Sequence, residues 1–349
     1  MQRLQQLQHW LATTLGSADF ELSPASADAS FRRYFRLQRT DGSASLIVMD
    51  APPAQEDIRP WLAVGKLFAA SGANVPHVLA ADAEQGFVLM NDFGSTTYLQ
   101  ALKAATAGEA PDQADHLHQA AHLYADALGA LLAIQAASQP GVLPEYDDAL
   151  LRRELQLFPD WYIDRHLGIT LSAQEQATLQ TAFDRIVAVN LAEPKVFVHR
   201  DFHARNLMHL AAKDQANPGI IDFQDAVYGP ISYDLVSLFK DAYIRWEEDF
   251  VLDLLIRYWE MARQLGLPVR SQFDDFHRDF EWMGVQRHLK VLGIFARLYH
   301  RDGKDGYLAD MPRVMHYLRQ ACKRWRELGP LYKLLDRLEP ENVQFGYTF

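Results

Sequence analysis

The spacing of apolar residues changes from strand-like to helical near residue 92, and this change restricts the possible folds more than any other feature of the chain. After a short amphipathic helix at the N-terminus, FRRYFRLQ and SASLIVMD flank the turn signal Asp41-Gly42, which predicts a β-hairpin over residues 31–50. A helix is expected at about Arg59 to Ala70, and VPHVLAAD and FVLMND predict two more strands. Residues 1–92 are therefore predicted to form a small sheet with one crossing helix.

The chain beyond Thr96 has mostly helical spacing. Helices are predicted around residues 117–131 and near residues 149–166, 173–190, 234–264 and 274–300. The short apolar stretches KVFVH and PGIIDF are the strand-like exceptions. The sequence therefore predicts an α+β protein with a sheet-rich lobe over residues 1–92 and a larger, mostly helical lobe over residues 93–349.

Charge and cysteine content exclude several classes of protein. The chain has 34 basic and 45 acidic residues and a formal net charge of -11, which disfavours a general nucleic-acid or membrane-surface binder. The single cysteine, Cys322, excludes an internal disulfide and a cysteine-rich metal cluster, as expected in a reducing compartment. The N-terminus lacks the long apolar core of a secretion signal. We therefore expect a cytoplasmic protein, and no protein partner is indicated.

HRDFHARN, residues 199–206, gathers charged and polar side chains directly after the strand KVFVH. Turn-forming residues between NLM and GII predict a hairpin, and a turn centred on Asp214 places Asn206 opposite Asp222. Asp201 lies a few residues upstream, so two carboxylates and one amide are expected to share a small volume. Such oxygen ligands suit Mg²⁺, which fills its remaining positions with water and substrate phosphate.

HRDFHARN followed by Ile221-Asp222-Phe223 resembles the catalytic loop and metal motif of the aminoglycoside phosphotransferase superfamily, whose pattern is H-x-D-x-H-x-x-N and then I-D-F/W. Protein kinases, which are relatives, usually carry lysine where this chain has His203, so the small-molecule branch is favoured. GPISYD downstream also follows the order typical of the superfamily. The resemblance implies a protein-kinase-like fold that binds ATP and Mg²⁺.

Three longer stretches suggest a closer resemblance, which runs from about residue 30 to about residue 325. SFRRYFRL with VMDAPP, HRDFHARNLM with GIIDFQDAVYGP, and QRHLKVLGIFARL with RDGK are similar to bacterial sugar kinases that phosphorylate N-acetylmuramate and N-acetylglucosamine at the anomeric position during cell-wall recycling. The resemblance implies a phosphotransferase with an alcohol group as acceptor.

Phosphoryl transfer assigns a role to each residue of the motif. Asp201 is expected to be the catalytic base, and it acts as much by orienting the acidic anomeric hydroxyl as by removing its proton. Asn206 and Asp222 are expected to hold Mg²⁺, which neutralises charge on the transferred phosphoryl group. Asp234 is expected to be a scaffold residue that either caps the helix LVSLF or binds backbone amides of the loop.

The nucleotide end departs from the kinase pattern in two ways. No G-x-G-x-x-G motif is present, but SPASADAS, which ends at Ser30, has small side chains that would let backbone amides approach phosphates. Met49 stands where the kinase pattern has a phosphate-binding lysine. Either Arg32, Arg33 or another cation replaces that lysine, or the metal balances the phosphates, or the protein no longer turns over. Alternation along the hairpin directs one of the two arginines inward and the other toward solvent.

The family implies that adenine binds the backbone near Met90 and Asn91, where the strand-rich part ends. N-acetylmuramate carries a carboxylate, so its pocket is expected to contain a cation. Arg287 and Lys290 lie one turn apart in a helix that is apolar on almost every face. They either contact the acceptor or form ion pairs within the fold.

A second candidate acceptor surface is the segment RRELQLFPDWYIDR, which has four residues suited to a sugar: Glu154, Asp160, Trp161 and Arg165. The alternative for this segment is an ordinary amphipathic helix with a kink at Pro159.

Three functions are therefore compatible with the sequence. The first is an anomeric amino-sugar kinase, and the second is a kinase for another small alcohol such as an aminoglycoside or a choline-like compound. The third is a nucleotide-binding pseudokinase. Intact Asp201, Asn206 and Asp222 argue against the pseudokinase, whereas Met49 argues for keeping it.

Overall fold

The computed structural model of the protein describes residues 2–27, 31–107, 113–211 and 216–340. The chain forms two compact units: residues 1–134 with 205–226 make the first, and residues 135–204 with 227–349 make the second. The boundary predicted near residue 92 separates two lobes that are each continuous in the chain, whereas each of these units combines two segments of the chain. That boundary therefore remains a prediction.

The elements are numbered in chain order. The strands are β1 (Phe20–Ala27), β2 (Arg33–Arg39), β3 (Leu46–Asp50), β4 (Val78–Asp82), β5 (Phe87–Asn91), β6 (Lys195–Val198), β7 (Leu207–Met208), β8 (Gly219–Ile220) and β9 (Val227–Pro230). The α-helices are α1 (Gln2–Leu15), α2 (Arg59–Ala70), α3 (Tyr98–Ala107), α4 (Gln113–Ala136), α5 (Asp148–Leu155), α6 (Ala173–Leu191), α7 (Tyr233–Phe239), α8 (Glu248–Gln264), α9 (Phe273–Asp302), α10 (Met311–Arg324) and α11 (Gly329–Leu338). A π-helix spans Phe158–His166, and short 3-10 helices span Asp305–Asp310 and Arg326–Leu328.

The first unit contains an antiparallel five-stranded sheet with the strand order β1-β2-β3-β5-β4. The hairpin predicted over residues 31–50 is confirmed as β2 and β3, and α2 matches the predicted helix. β1 is an additional strand, and its residues 23–27 belong to the stretch in which we expected a phosphate-binding loop. Ser30 lies outside the described residues.

One face of this sheet is covered by α1. Leu7 and Leu11, four residues apart on the helix, pack in one cluster with Val48 of β3 and with Phe87 and Leu89 of β5. Strand alternation explains why Val48 contributes to this core while its neighbour in β3 is directed to the other face. The amphipathic helix predicted at the N-terminus is therefore confirmed as α1.

The β7–β8 hairpin belongs to the first unit although it follows HRDFHARN in the chain. Its backbone is bound at two points: Ile220 N donates to Asn74 O at 2.8 Å, and His209 N donates to Thr96 O at 2.8 Å. Phe223, just after β8, packs against Trp61 of α2 with ring centroids 5.1 Å apart. These contacts hold the I-D-F motif against α2.

The second unit is mostly helical and includes one two-stranded sheet of β6 and β9. The long helix α9 contacts α5, α6, α7, α8, α10 and the π-helix. It is buried along most of its length, which agrees with the predicted helix near residues 274–300 that is apolar on almost every face. The α+β class predicted from the change of spacing is therefore confirmed.

Two of the predicted helices are interrupted. The helix expected over residues 234–264 is wrong, because residues 240–247 separate α7 from α8. The carboxylate of Asp241 accepts hydrogen bonds there from Tyr243 N at 2.9 Å and Ala204 N at 3.0 Å, and a side chain that binds backbone amides competes with helix formation. The helix expected over residues 149–166 changes into a π-helix at Pro159, whose ring nitrogen has no proton to donate.

Among the described residues, no helix is both long enough and apolar enough to cross a bilayer.

Candidate active site

The loop of HRDFHARN that belongs to the second unit is held by the carboxylate of Asp234. Its Oδ2 accepts from His199 N at 2.7 Å, and its Oδ1 accepts from Arg200 N at 3.0 Å. Burial raises the pKa of Asp234 to about 7, against the lowering effect of these two hydrogen bonds. Of the two scaffold roles expected for Asp234, binding of loop amides is therefore the observed one.

The backbone of Arg200 is left-handed, with a φ of 76°, which is uncommon for a residue with a side chain. Its carbonyl oxygen accepts hydrogen bonds from Arg287 Nη1 at 3.0 Å and from Ser237 Oγ at 3.3 Å. Together with the Asp234 contact, these bonds offset the strain of about 1–2 kcal/mol that such a conformation costs. Arg200 comes directly before Asp201, so its backbone conformation sets the direction in which the Asp201 side chain leaves the loop.

Asp201 is partly exposed and lies among cations of the second unit. Burial raises its pKa, but Lys290 and Arg287 outweigh burial and lower the pKa to about 2. Nη1 of Arg287 lies 3.8 Å from Oδ1 of Asp201. The carboxylate is therefore ionised throughout the physiological range, as a group that receives or orients an acceptor hydroxyl must be.

Arg287 and Lys290, the two cations expected near the acceptor, have partners inside the second unit. Lys290 Nζ lies 3.1 Å from Oε1 of Glu154 and donates to Tyr233 Oη at 2.9 Å. Glu154 also pairs with Arg200, and all of these side chains except Arg200 are buried. Burial raises the pKa of Glu154, yet Lys290 and Arg200 hold it below its ordinary value. Contact between these residues and a sugar remains a prediction.

Asn206 and Asp222, the expected metal ligands, lie together in the first unit. Nδ2 of Asn206 donates to Oδ2 of Asp222 at 3.3 Å. The predicted register is wrong by one residue, because β7 pairs Leu207 with Ile220, and Ile221 N donates to Asn206 O at 3.1 Å. Asp222 instead reaches Asn206 because its own backbone is left-handed, with a φ of 65°, which ends the regular pairing.

Arg32 is the buried member of the arginine pair, and Arg33 is the exposed one. Nη1 of Arg32 donates to Gln224 Oε1 at 2.7 Å, and its Nη2 lies 3.9 Å from Asp222 Oδ1. Nε2 of Gln224 in turn donates to Asp222 Oδ1 at 2.9 Å. Arg33 pairs with Asp50 on β3. The first unit therefore brings one cation, Arg32, beside the candidate metal carboxylate.

Met49 is fully buried in β3, where it is paired with Val88 of β5. Met90 is buried near the end of β5, and the Asn91 side chain accepts a hydrogen bond from His77 N at 2.6 Å. Neither observation tests whether adenine contacts Met90 and Asn91, so these contacts remain a prediction.

Two residues of this site were missed by sequence reasoning. Gln224 links Arg32 to Asp222, and its position directly after I-D-F was the only available signal. Asp241 binds the amide of Ala204, but the apolar spacing around it was interpreted as one continuous helix. Burial raises the pKa of Asp241 to about 6.

The α+β fold and the two motifs HRDFHARN and Ile221-Asp222-Phe223 fit a phosphotransferase of the protein-kinase-like class. The chain belongs to the phosphotransferase enzyme family known as APH, whose model matches residues 21–270.

Two relatives match almost the whole chain. A protein of Neisseria meningitidis serogroup B named N-acetylmuramate/N-acetylglucosamine kinase is 52% identical over 100% of both chains. A protein of the same name from Pseudomonas aeruginosa is 48% identical over 96% of this chain and 97% of its own.

Solved structures agree on the fold. A choline kinase of Streptococcus pneumoniae superposes with a TM-score of 0.61 at 12% identity, over 92% of this chain and 100% of its own. An ADP-bound aminoglycoside phosphotransferase superposes with a TM-score of 0.54 at 14% identity, over 90% of this chain and 96% of its own. The expected protein-kinase-like fold is confirmed by this likeness, which carries no information on the substrate.

Proposed function

We propose that this protein is an ATP-dependent kinase that phosphorylates the anomeric C1 hydroxyl of N-acetylmuramate, N-acetylglucosamine or both, in the recycling of cell-wall peptidoglycan. The observation that carries the proposal is the 52% identity, over full length, with a relative named for both sugars. A cytoplasmic location is part of the proposal, and the single, buried cysteine is consistent with it.

Asp201 is the residue to which we assign the acceptor hydroxyl. A carboxylate with a pKa of about 2 is a weak base, so it contributes mainly by accepting a hydrogen bond from the C1 hydroxyl and holding its oxygen for attack. The anomeric hydroxyl is more acidic than an ordinary alcohol, which reduces the need for a strong base. Asp234 holds the loop backbone through two amides and therefore acts as a positioning residue.

Asn206 and Asp222 suit Mg²⁺ because an amide and a carboxylate lie side by side, 3.3 Å apart at their closest polar atoms. A Mg²⁺ ion bound there supplies positive charge to the phosphates of the nucleotide. Arg32, whose Nη2 lies 3.9 Å from Asp222 and whose Nε lies 3.3 Å from Glu56, adds a positive charge beside the candidate metal carboxylate, whereas Met49 provides none. We therefore assign to Arg32 the phosphate contact that the missing lysine makes in other kinases.

The alternative acceptors have weaker support. Choline kinase and aminoglycoside phosphotransferase are similar to this chain at only 12% and 14% identity, which concerns the fold alone. The pseudokinase alternative is disfavoured because Asp201 is ionised and the pair Asn206 and Asp222 is formed.

The proposal is tested by incubating the purified protein with ATP and Mg²⁺ and offering four acceptors separately: N-acetylmuramate, N-acetylglucosamine, kanamycin and choline. Phosphorus NMR identifies the position of any new phosphate. We expect sugar 1-phosphates from the amino sugars. Phosphorylation of kanamycin or choline alone would contradict the proposal, and nucleotide binding without any product would support the pseudokinase.

A further inference from the structure

Helix α9 runs beside α5 in the same chain direction, and polar residues on its contacting face meet partners at regular steps. Gln286 Nε2 donates to Leu151 O at 3.0 Å. One turn further along α9, Lys290 lies 3.1 Å from Glu154. These two buried side chains of α9 thus each place a nitrogen beside an oxygen of α5, although Oε1 of Gln286 has no hydrogen-bond partner among the described residues.

The contact continues along the π-helix. Gly293 lies so close to Leu157 that a Cβ on the glycine would be 2.4 Å from the Leu157 carbonyl carbon, so only glycine permits this approach. Further on, Nε2 of His300 lies 3.4 Å from Nδ1 of His166, the last residue of the π-helix. Arg297 is four residues after Gly293 and three before His300, so it lies on the same stripe of α9, between these two contacts.

Arg297 differs from Gln286 and Lys290 in the surroundings of its side chain. It is half-buried, its Nε is buried without a hydrogen-bond acceptor, and no carboxylate lies within 4 Å of it among the described residues. Burial and Arg301 lower its pKa, whereas Asp302 raises it. Asp302, however, is bound to Arg301 at 2.7 Å. A partly desolvated guanidinium without an anion is unfavourable unless a ligand supplies one.

On the facing π-helix, His166 lies against this stretch of α9, with its Nδ1 3.4 Å from Nε2 of His300. Burial and His300 lower the pKa of His166 on the facing π-helix. The carboxylate that acts against this effect, Glu339, accepts a hydrogen bond from Tyr162. Arg297 and Arg301 thus bring two positive charges to this end of α9, of which only that of Arg301 is paired with Asp302.

We propose that Arg297 binds the carboxylate of an acidic amino sugar, and that it thereby determines how well N-acetylmuramate competes with N-acetylglucosamine. The inference rests on the function proposed above. The two sugars differ at O3, where N-acetylmuramate carries a lactyl ether with a carboxylate and N-acetylglucosamine carries a hydroxyl. A guanidinium binds a carboxylate through two parallel hydrogen bonds, which a hydroxyl does not reproduce.

Position along α9 agrees with this assignment. Arg287 lies 3.8 Å from Asp201, the residue assigned to the C1 hydroxyl. Arg297 follows ten residues later, which is about 15 Å along the helix axis and about 80° around it. That length is comparable to one acidic amino sugar with a hydrogen bond at each end. Arg287 and Lys290, for which the sequence left open a contact with the acceptor or an ion pair within the fold, have anionic partners.

Arg297→Gln removes the charge and keeps much of the side-chain length, and Arg301→Gln is the matched control one turn further along, where the arginine is exposed and paired with Asp302. The measurement is kcat and KM for both sugars with each variant. We expect Arg297→Gln to raise KM for N-acetylmuramate and to lower its kcat/KM roughly 10- to 100-fold, with the values for N-acetylglucosamine unchanged. Arg297→Lys should recover part of the loss, because lysine restores the positive charge but cannot form the two parallel hydrogen bonds of a guanidinium.

The ratio of the two kcat/KM values in one preparation cancels differences in folding. An equal loss for both sugars would assign Arg297 a structural role and overturn the inference, as would an unchanged ratio or a wild-type protein that phosphorylates N-acetylglucosamine alone. A wild-type protein that phosphorylates neither sugar overturns the proposed function itself, which separates the two failures.

Discussion

Nη2 of Arg32 lies 3.9 Å from Oδ1 of Asp222, so a buried cation stands beside the carboxylate assigned to the metal. The hydrogen bond from Arg32 to Gln224, and from Gln224 to Asp222, fixes this relationship through a neutral side chain. In our assignment, the missing lysine at Met49 of β3 is therefore compensated by Arg32, the residue directly before β2.

Arg32→Gln tests that compensation. We expect KM for ATP to rise by about tenfold, because a charge-assisted hydrogen bond to phosphate contributes about 1.5–3 kcal/mol. Arg33→Gln is the control, since Arg33 is exposed and pairs with Asp50. Equal effects of the two substitutions on KM for ATP would contradict the assignment.

Asp222→Ala tests the metal pair. Removing the carboxylate should raise the Mg²⁺ concentration needed for half-maximal rate and reduce kcat at least 100-fold, because the remaining amide of Asn206 is a poor ligand alone. The rate is measured across a Mg²⁺ titration, with Asp225→Asn in the same loop as the control. An unchanged Mg²⁺ dependence in Asp222→Ala would remove Asp222 from the metal site.

Asp201→Ala should leave ATP binding intact and lower kcat by about 10²- to 10⁴-fold, the usual contribution of a positioned acid-base group. Nucleotide binding is measured by calorimetry and kcat by product formation. Because the pKa of Asp201 is about 2, its protonation should cause no decrease of kcat between pH 8 and pH 5. Near-normal turnover in the variant would refute the assigned role.

Glu154→Gln should destabilise the second unit by about 3 kcal/mol or more, since it leaves buried Lys290 without its carboxylate partner. Asp148→Asn is the matched control, because Asp148 forms an exposed i,i+4 pair with Arg152 and should change the free energy of unfolding by less than about 0.5 kcal/mol. Chemical denaturation measures both. Similar losses in the two variants would show that burial of the pair does not matter.

Glu193 provides a prediction on pH and stability. Burial and nearby Asp279 raise its pKa to about 8, against the lowering effect of hydrogen bonds from Ser232. A raised folded-state pKa contributes stability that is fully present below the ordinary glutamate pKa of about 4.3 and is lost as pH rises through about 8. Glu193→Gln should therefore gain Tm relative to wild type between pH 5 and pH 9, by roughly 2 °C or more. Calorimetry at pH 5 and pH 9 measures the Tm of the variant and of the wild type. A Tm difference that is the same at both pH values would contradict the prediction.

Local patterns were sufficient for most elements of the fold. Turn residues and alternating apolar positions predicted the hairpin of β2 and β3, and helical spacing predicted α9. The β7–β8 hairpin was also predicted, but its register was not, because the turn between Asn206 and Asp222 can be closed in neighbouring registers with similar local energy. The break at Asp241 was missed because the amide of Ala204, which its side chain binds, lies 37 residues away in the chain.

The sequence by itself determined which chemical groups are present: the spacing of Asp201, Asn206 and Asp222 indicated a magnesium site, and the resemblance of their motifs to a known family implied phosphoryl transfer and marked Met49 as the missing cation. Only the tertiary structure decided which charges meet. It selected Arg32 over Arg33 as the neighbour of Asp222, paired Lys290 with Glu154, and left Arg297 without a carboxylate among the described residues. The reason is that an ion pair depends on the distance between two side chains and on their burial, and both are set by the packing of segments far apart in the chain.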